Sequence, residues 1–156
     1  MPDPIRILRE PAETADLDLL FQRHHEFCHA DTPPESIHMM DRAALDAAGV
    51  ALFVLRDGDR PMAMGAIKRL GPDHGEIKSM HVLDEARGRG LARLMVDHLI
   101  VKGCEMGLTR LSLETGAQPS FAPARALYTA AGFAETAPFG DYRADPMSVF
   151  MSREIG

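Results

Sequence analysis

The stretch "EIKSMHVLDEARGRGLARLM", residues 76–95, changes character halfway along. Its first part, 76–82, reads as a strand, and its last part, from Gly90 on, reads as a helix. Between them stand Gly88 and Gly90, interleaved with Arg87 and Arg89. A helix N-terminus presents unpaired N–H groups and partial positive charge. Glycines there let the backbone curl and let a ligand approach closely. Such a turn suits a phosphate or pyrophosphate, with Arg87, Arg89 and Arg93 able to add charge-assisted contacts. A dinucleotide fingerprint G-x-G-x-x-G/A fails here, because Arg93 occupies the third small position. A Walker A loop, G-x4-G-K-[ST], is absent. An ordinary tight turn uses glycines in the same way, so the short motif needs its context.

Downstream of Gly90, one row is Leu91, Met95 and Leu99 and the next is Ala92, Val96 and Ile100, together a broad apolar stripe. Gly107 marks the expected end of that helix. Upstream, the apolar runs 50–55 and 62–70 flank "DGDRP", a hairpin signal, and "GPDHG" (71–75) makes a second turn into 76–82. Three consecutive strands in an antiparallel meander follow from this. "IRILRE" (5–10) reads as a first strand. The segment 14–30 has helical spacing, with Thr14 or Asp16 as caps, and 39–49 reads as a second helix ending at Gly49. After the long helix, 109–115 is a strand. Pro123 opens a further helix stopped by Gly132, and the tail offers two short strands around a turn-rich loop. The order β-α-α-β-β-β-α-β-α-β-β makes a mixed α/β domain.

The chain has 156 residues, enough for one domain with a real core, read as 1–156. Its composition, 46% hydrophobic and 26% charged, argues against disorder and against a disulfide scaffold. A net charge of −6 argues against nucleic-acid binding through a basic face. No apolar run approaches the roughly 20 residues that span a bilayer. No basic segment followed by an apolar core opens the chain, so no signal peptide is expected. Cys28 and Cys104 are isolated thiols that fit a reducing compartment, and the expected location is the cytoplasm.

The pattern Val82-x4-Arg87-Gly88-x-Gly90-x-Ala92, with strand before and helix after, resembles the coenzyme A signature of the GNAT N-acetyltransferase superfamily. "ARALYTAAGF" (124–133) is similar to the family's later helix, with Leu127, Tyr128, Gly132 and Phe133 in its frame. The element order agrees along essentially the whole chain. "LSLETG", "FAPARALY" and "PFGDYRADPMSVFM" resemble the YsnE-like branch of bacterial acetyltransferases. The resemblance implies a mostly antiparallel sheet of about seven strands, splayed between strands 4 and 5 and flanked by about four helices. It implies acetyl-CoA as the acyl donor and a small-molecule amine as acceptor, and it allows a homodimer; no metal site is expected from the residues. A protein acetyltransferase and a non-catalytic acyl-CoA sensor are the competing readings.

By the same resemblance, Arg87, Gly88, Arg89, Gly90, Leu91 and Ala92 would hold the pyrophosphate. A backbone N–H near Met80, His81 or Val82 would polarise the thioester carbonyl. Many family members carry Asn seven residues before the tyrosine; here that position is Phe121, so the pantetheine arm loses a polar contact. Tyr128 occupies the position of the thiolate-protonating acid, and a phenol, with an ordinary pKa of about 10, keeps its proton at neutral pH. Glu76 lies six residues before Val82, where several members carry a catalytic glutamate. Glu114, His81 and an ordered water are rival bases.

Other residues carry weaker readings. His24, His25, Cys28 and His29 have i, i+4 metal-ligand spacing, with His38 nearby, yet no third or fourth ligand is obvious, and a partly exposed helical face near the substrate cleft is the preferred reading. Cys104 reads as buried packing in the amphipathic helix. The loop "PFGDYRADP" (138–146), with Asp141, Tyr142, Arg143 and Asp145, is a candidate wall of the acceptor site or a plain surface loop.

Overall fold

The computed structural model of the protein describes residues 5–37 and 40–156. His38, considered above as a metal ligand, Met39, where the second helix was expected to begin, and residues 1–4 lie outside the described residues. The elements are strand β1 (Ile5–Arg9), helix α1 (Asp18–Ala30), strands β2 (Val50–Asp57), β3 (Arg60–Arg69) and β4 (His74–Val82), helix α2 (Leu91–Glu105), strand β5 (Arg110–Gly116), helix α3 (Ala122–Ala130), and strands β6 (Ala134–Glu135) and β7 (Ser148–Glu154). They form one sheet in the order β1-β2-β3-β4-β5-β7-β6. Every adjacent pair is antiparallel except β4 with β5. That exception follows from the connection, since a helical crossover returns the chain in the same direction.

Helix α2 covers one face of the sheet. Its apolar stripe buries Leu91, Met95, Val96 and Leu99, as the periodicity predicts. It sits close because β3 offers Gly65 beneath it: a Cβ there would lie 3.1 Å from Leu99 Cδ1 and 3.1 Å from Met95 Cγ. Gly103 is buried against Ile155 and Leu111, whereas Cys104 is exposed, which corrects the expectation of a buried thiol. The apolar row passes through position 103, and 104 falls on its solvent side. Side chains alternate along a strand, so Glu76 and Lys78 of β4 face away from α2. On that side α1 packs against β3 and β4, burying Leu20, with Leu17 buried just before it.

Two local expectations change. Residues 40–49 make no α-helix; they hold a single 3-10 turn, Ala43–Asp46. Its side chains are committed elsewhere. Asp46 Oδ1 accepts from the Ala12 N–H at 2.6 Å, and the Arg42 guanidinium donates to the Ala12 and Thr14 carbonyls and to Asp18. These bonds tie the segment to the entry of α1 and leave Leu45 plugged into the core. Neither Thr14 nor Asp16 caps that entry: the Thr14 hydroxyl donates to the Pro11 carbonyl, and Asp16 is drawn to Arg56.

Candidate active site

The site begins where two strands part. Parallel pairing of β4 with β5 runs only from His74↔Arg110 to Ile77↔Leu113. Beyond it β4 stays with β3 as far as Val82, while β5 stays with β7 as far as Gly116. The two halves of the sheet therefore diverge, and β4 presents an edge without a strand partner from Lys78 onward. A bulge sits at the same point. Met64 pairs with His81 and Ala66 with Lys78, so Gly65 alone faces Ser79 and Met80. Ser79 takes φ 56°, the only described non-glycine residue with positive φ. Such a conformation costs roughly 1–3 kcal/mol and persists where the surroundings enforce it. It turns the backbone of 79–80 toward the gap.

The gap opens into a cavity of about 140 Å³. Glu76, Lys78, Ser79 and Met80 line it from β4, and Glu114, Thr115 and Gly116 from β5. Helix α1 adds His24, Phe27 and Cys28, and α3 adds Tyr128. Phe27 and Phe121 meet edge to face across the wall, with ring centroids 5.0 Å apart. Phe121 packs so tightly over Gly116 that a Cβ there would lie 2.4 Å from its ring. The loop 136–147 closes another wall with Tyr142 and Met147. It is pinned to the loop after α1 by the buried Ser36 hydroxyl, which donates to Asp145 Oδ2 at 2.7 Å.

The cavity floor is polar. Glu76 is 3% exposed. Its Oε2 accepts from the Tyr142 hydroxyl at 2.5 Å and lies 3.4 Å from Lys78 Nζ, which also donates to the Tyr142 oxygen at 2.9 Å. Burial first, then the bond to Glu76, pushes the Tyr142 phenol well above its ordinary pKa. Tyr128 is also raised well above its ordinary value, by burial first and then by the charge of Glu114. Burial, helped by Glu114, pushes the Cys28 thiol up to about 11, so it stays a thiol at neutral pH.

Beyond β4 the chain reaches the Gly/Arg turn. Gly88 and Gly90 have φ of 81° and 75°, and nothing lies within 4 Å of where a Cβ would stand on either. Gly90 is the N-cap of α2, no side chain caps it, and the first turn carries no acidic residue. Its amides and the concave glycine backbone fit an anionic group. The arginines are exposed and paired only at the surface: Arg87 with Asp84, Arg89 with Asp57, Arg93 with Asp97. An extended, amide-bearing ligand ending in phosphates matches this turn at one end and the open β4 edge at the other.

Glu76, Met80, Phe121 and Tyr128 thus line one cavity, together with the rival Glu114. Arg87, Gly88, Arg89, Gly90 and Ala92 form the turn next to it, while the Leu91 side chain is buried in the core and only its amide belongs to the turn. Val82 is half-buried at the end of β4. His81 points elsewhere, packing against His24 (5.4 Å between ring centroids) and Phe27. Burial, and then Arg87, depresses its pKa to about 4. Within the helical His/Cys set, His24 and Cys28 turn to the cavity, whereas His25 and His29 stack on each other at the surface. Among the described residues no group of three or more metal-ligating side chains converges, and no helix is long and apolar enough to cross a membrane. Lys78 escaped the sequence reading because a lysine in an alternating strand looks like a solvated side chain. Tyr142 was visible only as part of a polar loop.

Comparison with known proteins agrees with this geometry. Residues 14–133 match the model of the acetyltransferase (GNAT) family. The uncharacterized N-acetyltransferase YsnE of Bacillus subtilis (strain 168) is 40% identical over 134 residues, 84% of this chain and 89% of that one. An IAA acetyltransferase of Azospirillum brasilense is 35% identical over 124 residues, 79% of this chain and 80% of that one. Among solved structures, the ribosomal-protein-S18-alanine N-acetyltransferase of Escherichia coli superposes with a TM-score of 0.71 at 24% identity, covering 97% of this chain and 94% of that one. At that identity the likeness is one of fold.

Proposed function

The chain belongs to the acetyltransferase (GNAT) family, and from that membership we propose that it transfers an acetyl group from acetyl-CoA to a primary amine of a small molecule, by direct attack in a ternary complex. The whole chain, 1–156, acts as one acetyltransferase domain, and its two free thiols fit a cytoplasmic setting. An acyl-CoA donor follows from the family; acetyl is the group we assign. The observation that carries the reading is the convergence of Glu76 and Tyr128 on the cavity at the splayed strands.

When bound, acetyl-CoA supplies an electrophilic thioester carbonyl and a thiolate leaving group. The amides of the Gly88–Gly90 turn and of the first turn of α2 bind the pyrophosphate, with Arg87 and Arg89 able to exchange their surface partners for it. The free edge of β4 pairs with the amide-bearing arm, and the bulged backbone at Ser79 and Met80, followed by His81 and Val82, aims an N–H at the carbonyl oxygen. Phe121 offers the arm an apolar wall, in place of the Asn that the family resemblance led one to expect. Glu76 accepts the proton of the attacking amine, and Tyr128 gives its proton to the departing sulfur. Burial keeps that phenol protonated across the working range.

The test is a thiol-release screen with acetyl-CoA against amino acids, polyamines and amino sugars, with IAA added because a relative is named for it. We expect turnover with an amine, and in Glu76→Gln a large fall in turnover with any residual acidic limb shifted. Tight acetyl-CoA binding without turnover on any amine or peptide would replace this reading with an acyl-CoA sensor. Turnover confined to peptides would replace it with a protein acetyltransferase.

A further inference from the structure

The geometry points to Lys78 and Tyr142 as positioning residues that lock Glu76 by one carboxylate oxygen and leave the other to the incoming amine. The inference rests on Glu76 being the base. Both donors converge on Oε2: the phenol at 2.5 Å and the ammonium at 3.4 Å. The ammonium also donates to the phenol oxygen at 2.9 Å, which closes a three-membered ring of contacts. No described residue donates to Oε1. The carboxylate belongs to a cavity-lining residue, so Oε1 is the atom that an amine can reach.

This arrangement does two jobs for a buried base. A carboxylate out of water tends to take up a proton, and a cation within about 4–6 Å opposes that. The ring also fixes the carboxylate plane, so that proton transfer needs no search through rotamers. When the amine N–H bond breaks, its proton goes to Oε1 and the pair left on nitrogen forms the bond to the acyl carbon; the carbon–sulfur bond then breaks with its pair going to sulfur, which takes the Tyr128 proton. Tyr142 remains a donor throughout, because burial and Glu76 itself hold its proton firmly.

The ring also ties the base to a loop that no local signal connects to it. Tyr142 lies 66 positions from Glu76 and reaches it on the loop 136–147. Its ring packs on Phe139 at 5.1 Å and Phe150 at 5.4 Å, and the loop is latched by Ser36 and Asp145. Seating this loop and orienting the base are therefore one event.

Other titratable groups face Glu76 and share its field. They are His74 on β4, Glu114 on β5, Tyr128 on α3, and Cys28 and His24 on α1. Among the described residues, only Lys78 and Tyr142 contact the carboxylate directly.

The test needs no acceptor. The full chain carries ¹³C-labelled glutamate carboxyls, and the Glu76 signal is identified by its disappearance in Glu76→Gln. The inference expects its titration midpoint to rise by about one pH unit or more in Tyr142→Phe and in Lys78→Met, and Lys78→Arg to restore it. With an amine found by thiol release, the acidic limb of the rate profile moves up in parallel, and kcat falls while KM for acetyl-CoA holds. Tyr142→Phe keeps the ring and serves as the deciding variant if Lys78→Met does not fold. An unmoved midpoint in Tyr142→Phe, with Glu76→Gln inactive, overturns the inference alone. Full turnover by Glu76→Gln overturns the base assignment beneath it.

Discussion

Replacing Tyr128 by Phe separates chemistry from folding, because the side chain gives up only a hydroxyl. The ring is 6% exposed and packs edge to face on Phe133 at 5.9 Å, a contact that Phe keeps. No described residue hydrogen-bonds the hydroxyl, so no partner is left stranded. The expected stability change is within about 0.5 kcal/mol, as for substitutions that break no buried network. The expected loss of turnover is much larger. A positioned general acid contributes roughly 10²–10⁴ in rate, and the lower part of that range, about a hundredfold to a thousandfold, is a barrier increase of about 3–4 kcal/mol. Acetyl-CoA affinity stays close to wild type, since the role we propose for the hydroxyl is at the departing sulfur. The sign of the pH dependence follows from the same surroundings. Burial and Glu114 both disfavour the phenolate, so Tyr128 adds no basic limb below its ordinary pKa of 10. The assay is thiol release at saturating acetyl-CoA, paired with urea unfolding of both proteins. A Phe variant with undiminished turnover would refute the reasoning and assign sulfur protonation to water.

Three further outcomes are expected. His81 is depressed from 6.5 to about 4 in the fold, chiefly by burial. Its contribution is complete above its unfolded value and is lost as pH falls toward the folded one, about 2 kcal/mol by pH 5. Urea unfolding at both ends of that window checks this, and His81→Gln should flatten the slope; an unchanged slope refutes it. Arg56 is buried and held by Glu10 and Asp16 through four side-chain hydrogen bonds. Arg56→Met leaves Glu10 unpaired and should cost about 3–5 kcal/mol, lowering Tm by roughly 10 °C; a shift under about 2 °C would show that the network is neutral. Gly116→Ala would place a Cβ 2.4 Å from the Phe121 ring, pushing Phe121 into the cavity. KM for acetyl-CoA should rise severalfold in thiol release, and an unchanged KM would remove Phe121 from the donor site.

What the sequence makes legible is what local chemistry decides. Glycine at 88, 90 and 132 and the apolar rows of α2 announce turns and a helix because φ > 0 and a 3.6-residue period are properties of short segments. The meander shows through Asp57-Gly58. The bulge at Ser79 stays hidden because serine has no preference for that conformation; it arises when Gly65 must face two residues at once. The 39–49 segment misleads in the opposite way. Its alanines favour helix, but Arg42 and Asp46 gain more by binding the backbone of residues 12–14. The Glu76–Lys78–Tyr142 ring depends on a contact across 66 positions, which no window of sequence contains.

The splay itself is built in, and its energetics favour a ligand. Four residues of the nine in β4 pair with β5, and the remainder present N–H and C=O groups to the gap. A shift of register could not close it. On one side the bulge at Ser79 and Met80 turns the backbone of β4, and on the other β5 is paired with β7 through to Gly116. Phe121 lies over that glycine and Phe27 braces Phe121, so the opening is propped by apolar side chains that cannot fill it with hydrogen bonds. Water can solvate the exposed edge in the free protein, at the expense of bonds it would make in bulk. An extended chain with its own amides can replace that water by strand-like pairing. Opening the sheet thus costs stability in the free protein, and that cost is recovered only by a ligand of the right length and polarity. On the function we propose, selectivity for the donor then comes from backbone geometry, which leaves the side chains of the cavity floor free to select the acceptor.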